Sequence, residues 1–117
     1  DLTAATALLD ARFLAGDATV AARFQELYGS RVSGSRPDGL VARLRAEQQS
    51  RHSKFGDTIF LLEPDIKSGP GGVRDMCSGR WAAAARFGTG DVKALAQMGV
   101  MTMRQAAAFE AAREWLL

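Results

Sequence analysis

Apolar residues recur at spacings of three and four through almost the whole chain, and this limits the fold more than any other feature. Such spacing places them on one face of a helix. Leu2, Thr6, Leu9 and Phe13 form a stripe that predicts a first helix over residues 2–15, ended by Gly16. Asp17 is placed to cap a second helix in which Val20, Phe24 and Leu27 share a face. The run "YGSRVSGSRPDG" breaks the pattern and predicts a loop over 29–36. Pro37 then suits the first turn of a third helix capped by Ser35, with Val41, Leu44, Gln48, His52 and Phe55 in register. The stretch "DTIFLLEP" is too short and too β-branched for a firm assignment, and Pro64 ends it.

A fourth helix follows from Val73 to Phe87, with Val73, Cys77, Trp81 and Ala84 on one face. Its small side chains in "WAAAARF" let another helix approach closely. Asp91 caps a short helix ending at Gln97, and Thr102 with Gln105 is a capping-box signature. Behind that box, Ala106, Phe109, Ala112 and Leu116 line a last stripe. The expected architecture is all-α: a helical bundle with one extended, glycine-rich loop insertion. At 117 residues the chain fits one helical domain, residues 1–117, and reads as a piece of a longer protein.

The charge balance narrows the function. A net charge of +2, with basic residues scattered among acids, argues against a nucleic-acid partner. No run approaches the roughly 20 apolar residues of a membrane span, so the expected location is the cytoplasm. One cysteine, Cys77, and one histidine, His52, cannot form a disulfide framework or a zinc site within this chain. Cys77 reads as an inert apolar residue and His52 as a histidine at the core edge. Met98, Met101 and Met103, beside Trp115, are expected to fill core space. Asp10 with Arg12 reads as an ion pair, and "RLRAEQQSRHSK" as a solvated face.

Chemistry is concentrated in "EPDIKSGPGGVRD", residues 63–75. Gly69, Gly71 and Gly72 permit close backbone approach, and Pro70 stiffens the turn between them. Successive amides leading into a helix N-terminus suit an anion, and Lys67 and Arg74 flank them with positive charge. The spacing is not that of a Walker loop, because the lysine precedes the glycines. Residue types alone leave both a structural loop and a phosphate-contacting turn open. Glu63, Asp65 and Asp75 are potential metal ligands, although ion pairing with Lys67, Arg74 or Arg80 accounts for them more simply.

The segments "TALLDARFLAGD" (6–17), "RHSKFGD" (51–57) and "LLEPDIKSGPGGVRD" (61–75), followed by Trp81 and "ARFG", occur in an order that resembles the bacterial PII protein uridylyltransferase/uridylyl-removing enzymes. A fainter version of the lysine, double-glycine and Arg-acid pattern is similar to one in glutamine-synthetase adenylyltransferase. The resemblance implies a helical domain that follows a nucleotidyltransferase core and precedes a metal-dependent HD hydrolase domain. The parent would use UTP and Mg2+ to modify the PII signalling protein in nitrogen regulation. The core's Gly-Ser turn and D-x-D carboxylates are not in this sequence, so no catalytic residue and no metal ligand is expected here. Carried over, the motif makes Lys67, Gly69, Gly71, Gly72 and Arg74 the nucleotide- or substrate-contacting residues. Glu63, Asp65 and Asp75 would support them. Where the family pattern reads Arg-Asp-Ile-His-Thr, this chain has Arg74, Asp75, Met76, Cys77 and Ser78. The competing expectation is a non-catalytic helical interaction or regulatory module of a divergent paralogue.

Overall fold

A computed structural model describes residues 1–9, 11–32, 37–54 and 65–117, with the side chains of residues 31 and 32 left aside. Among the described residues there are six helices and no strand: α1 Leu2–Leu9, α2 Ala18–Val32, α3 Pro37–Ser53, α4 Val73–Phe87, α5 Val92–Gln97 and α6 Met103–Leu116. The all-α class expected from the spacing is what is found. Glu63, Phe55, Ser35, Asp10 and the "DTIFLLEP" stretch lie outside the described residues.

The core sits where α1, α3 and α4 meet. Leu40, Leu44 and Ala85 are buried together, and Leu2, Ala5, Leu9, Trp81 and Ala82 pack around them. Ala85 and Ala82 let α3 come close to α4, as the alanine run predicts. Burying a leucine such as Leu44 contributes about 1.5–3 kcal/mol. The leading buried residue on α3 is Leu40 rather than Val41, so the inward face is rotated from the expected stripe to take in Leu40, Leu44 and Arg51.

Three expectations are corrected. The first helix ends at Leu9 rather than running to residue 15. The Ala11 N–H bonds the Leu8 carbonyl three residues back at 3.2 Å, which tightens the chain out of the helix. Phe13 and Leu14 beyond it are exposed, so the apolar stripe does not continue into the core. Next, α2 continues through Gly29–Val32, within the span expected to be loop. Tyr28 donates its hydroxyl proton to the Ala5 carbonyl and ties this end of α2 to α1. Last, Met98 and Met103 are exposed and Trp115 is 82% exposed, so they do not fill the core. Met101 is half-buried, and in the α5–α6 pair the buried residues are Val92, Leu95 and Ala106, too few to enclose Met98 and Met103 as well.

The starts of α2, α5 and α6 follow the sequence closely. The Asp17 carboxylate accepts from the Thr19 amide at 2.8 Å, and Asp91 accepts from Lys93 at 3.1 Å. Thr102 and Gln105 form the reciprocal capping box. Gly88 closes α4 in the left-handed conformation with φ 76°, which a side chain would disfavour. No helix among the described residues is long and apolar enough to cross a membrane.

Candidate functional site

The described part of the glycine-rich segment is a closed set of turns rather than an extended insertion. The Asp65 carboxylate accepts from the amides of Lys67 (2.9 Å) and Ser68 (2.8 Å), and its carbonyl accepts from Gly69 (2.8 Å). Gly72 donates to the Gly69 carbonyl, Val73 to Ile66, Arg74 to Lys67 and Asp75 to Gly72, at 2.9–3.0 Å. Gly71 donates to the Asp75 side chain at 2.8 Å. Every amide from Lys67 to Asp75 that carries a hydrogen is thus engaged within the turn. The close approach the glycines allow is of backbone to backbone: a Cβ on Gly69 would stand 2.7 Å from the Asp65 carbonyl oxygen. In this arrangement an anion must be met by side chains.

Those side chains converge on Asp75, in the first turn of α4. Its Oδ2 accepts from the Gly71 amide and lies 2.8 Å from His52 Nε2. Its Oδ1 lies 2.9 Å from Arg51 Nη1, a charge contact, while that nitrogen donates to the Ser68 carbonyl at 3.0 Å. Arg51 Nε and Nη2 donate to Glu47 at 3.2 and 3.4 Å. Side-chain exposure is 6% for Arg51, 13% for Asp75 and 22% for His52. Arg51 therefore does not belong to a solvated face as expected, because α3 rolls it inward onto the turn. The cations that partner Asp75 are also not those expected: Arg80 instead donates to the Gly90 carbonyl at 3.2 Å.

Burial pushes the Asp75 carboxyl up, but the Gly71 amide and the Arg51, Gln48 and His52 side chains outweigh this and hold it below the ordinary aspartate value. Burial likewise works against the Arg51 charge, and the bonds and charges of Glu47 and Asp75 raise its pKa nonetheless. An ionised carboxylate only accepts, so His52 Nε2 must carry a proton. The lowered Asp75 pKa makes the folded state sensitive to acid. Its stabilisation is present above the unfolded aspartate range near pH 4 and is lost as pH falls through the folded value. We expect denaturation midpoints measured at pH 7 and pH 3 to fall further for the wild-type chain than for Asp75→Asn.

Two clefts meet at Arg74. One, of about 220 Å³, is lined by Leu2, Thr3, Thr6, Leu44, Glu47, Arg74 and Trp81. The other, of about 330 Å³, is lined by Glu47, Ser50, Arg51, Lys54, Ser68 and Arg74, three cations against one acid among the described residues. Arg74 is 46% exposed, and its Nη1 is 4.0 Å from Glu47, too long for a strong bond. Of the two expected cations, Arg74 faces these clefts, whereas Lys67 is exposed on the turn and lines neither. Asp65 and Asp75 are both held within the turn, and no group of three or more metal-ligating side chains is present among the described residues. These residues do not fit a metal ion. Sequence reasoning missed Glu47, Arg51, His52 and Lys54 as parts of the site. The signal available for three of them was the segment "RHSKFGD", which precedes the turn in the family order.

Residues 40–117, which run from within α3 to α6 and take in the whole turn, match the family described as GlnD PII-uridylyltransferase. The full chain is 38% identical to a bifunctional uridylyltransferase/uridylyl-removing enzyme of Rhodospirillum rubrum, over 99% of this chain and 12% of that protein. It is 40% identical to the protein of the same description from Xanthomonas campestris, and 35% identical to that of Pseudomonas fluorescens. Each comparison covers 99% of this chain and 13% of the relative. The chain thus spans about an eighth of the length of the curated relatives it matches, and no solved structure matches it. On the family match over residues 40–117, the chain belongs to the GlnD PII-uridylyltransferase family.

Proposed function

We propose that the chain is a helical domain of a cytoplasmic uridylyltransferase that transfers UMP from UTP to the PII signalling protein, and that its Arg74 face meets the nucleotide. The parent would supply a nucleotidyltransferase core before this domain and an HD hydrolase domain after it, with Mg2+ held by that core. In such a transfer a hydroxyl of the protein substrate attacks the α-phosphorus and pyrophosphate leaves. Negative charge on the phosphate oxygens must be matched by positioned cations. The observation that carries this reading is Arg74, half-exposed at the junction of two clefts, only loosely paired with Glu47 and followed along the cleft by Lys54. Lys67, on the outer side of the same turn, is the second cation of the proposal. Gly69, Gly71 and Gly72 close the turn, while Asp65 and Asp75 hold it, and Glu63 is assigned a supporting role by the motif alone.

The test is steady-state uridylylation by the full-length protein. Arg74→Ala should raise KM for UTP about tenfold, the effect of losing roughly one charge-assisted bond to a phosphate, with Tm unchanged. A second reading, a helical interaction module without nucleotide contact, draws on a different feature. A cleft of about 560 Å³ between residues 11–17 and α2 is walled by Phe13, Leu14, Val20 and Phe24. That reading expects an unchanged KM for UTP in Arg74→Ala.

A further inference from the structure

We propose that His52, Asp75 and Arg51 form a positioning device that pins the turn over residues 65–72 to α3 and thereby sets where the Arg74 guanidinium stands. The inference rests on the nucleotide reading of Arg74 and adds the residues through which that side chain is held. Arg51 is buried at 6% exposure, and its bonds to Glu47, its bond to the Ser68 carbonyl and its charge contact with Asp75 link α3, the turn and α4. An apolar side chain of similar volume would fill the same space without the desolvation cost of a buried charge, so stability alone is a weak reason for an arginine here. What the ionic group adds is direction. Asp75 fixes the first turn of α4 from both sides, through the Gly71 amide and through His52, each at 2.8 Å.

Arg74 is the residue immediately before Asp75, and its own amide is bonded to the Lys67 carbonyl at 3.0 Å. Any rotation of this first helical turn therefore moves Asp75 and Arg74 together. Glu47 closes the arrangement, since it holds Arg51 on one side and stands 4.0 Å from Arg74 on the other. With its carboxylate taken up by Arg51, Glu47 limits the sweep of Arg74 without neutralising it fully. His52 and Asp75 line neither of the two clefts, so they act on a bound nucleotide through Arg74 and the turn rather than by touching it.

His52 is the informative position, because Gln can place an amide donor where Nε2 stands and Ala cannot. In the full-length protein, kcat and KM for UTP would be measured for His52→Ala, His52→Gln, Arg74→Ala and His52→Ala with Arg74→Ala, alongside Tm. The expected result is a KM raised about fivefold in His52→Ala with kcat nearly unchanged, largely recovered in His52→Gln. In the Arg74→Ala background the His52→Ala change should have no further effect, since its target is already gone. An unchanged KM in His52→Ala while Arg74→Ala raises it overturns the positioning role and leaves the cleft reading standing. Additive effects in the double variant do the same. An unchanged KM in Arg74→Ala overturns both.

Discussion

Asp75→Ala is expected to cost about 3 kcal/mol of folding stability, the lower end of the range for removing one partner of a buried ion pair. The loss has three parts. Arg51, 6% exposed, would keep its charge with only Glu47 among the described residues to balance it. The Gly71 amide and the His52 Nε2 donor would lose their acceptor. The first turn of α4 would lose the carboxylate that joins it to α3. Urea denaturation of the chain measures the change, and a loss under about 0.5 kcal/mol, the range of ordinary surface substitutions, would contradict the account. Replacing both partners, as in Arg51→Met with Asp75→Leu, should recover the part of the loss that comes from the stranded Arg51 charge, because it removes that charge as well as its counterion. That part of the penalty measures an unpaired group rather than the worth of the pair.

Gly72→Ala is expected to destabilise by about 3 kcal/mol, at the upper end for overpacking, and Gly71→Ala by less, about 1–2 kcal/mol. The two glycines differ in why they are needed. Gly72 has φ −75° and ψ −179°, which any residue adopts, so its cost is steric. A Cβ there would press on the Ile66 carbonyl oxygen and come within 3.0 Å of the Gly69 carbonyl oxygen. Both are backbone atoms held by hydrogen bonds that close the turn, and neither can give way without breaking it. Gly71 has φ +76° with nothing within 4 Å of an added Cβ, so its cost is the left-handed backbone alone. Parallel denaturation curves rank the two variants. The opposite order would mean that the turn is not packed as described.

Local features were the most legible in the sequence. Asp17, Asp91 and the Thr102–Gln105 box, Pro37 at a helix start, and α4 from Val73 to Phe87 all read correctly, because caps and helix starts depend on residues within a few positions of one another. What failed depended on distant partners. The helix expected to run to residue 15 stops at Leu9, with Phe13 and Leu14 exposed beyond it, and α2 runs past Gly29 where the residue types suggest a loop. Met98 and Met103 look like core from composition, yet both are exposed, and α5 and α6 bury only Val92, Leu95 and Ala106. The turn was found from its glycines and charges, but its organisation was not. A 23-residue separation hides the His52–Asp75 pair, and the burial of Arg51 depends on how α3 rolls against α4. Periodicity marks a polar residue as outward unless a partner is known, and here the partner lies in another element.

The most direct test of the account is an equilibrium titration of UTP onto the full-length protein by calorimetry, wild type against Arg74→Ala, with Mg2+ supplied at the same concentration. The account predicts a Kd about tenfold weaker for the variant at an unchanged Tm, the loss of one charge-assisted phosphate contact. An identical Kd would contradict it, since the side chain that stands at the junction of both clefts would then be making no contact with the nucleotide.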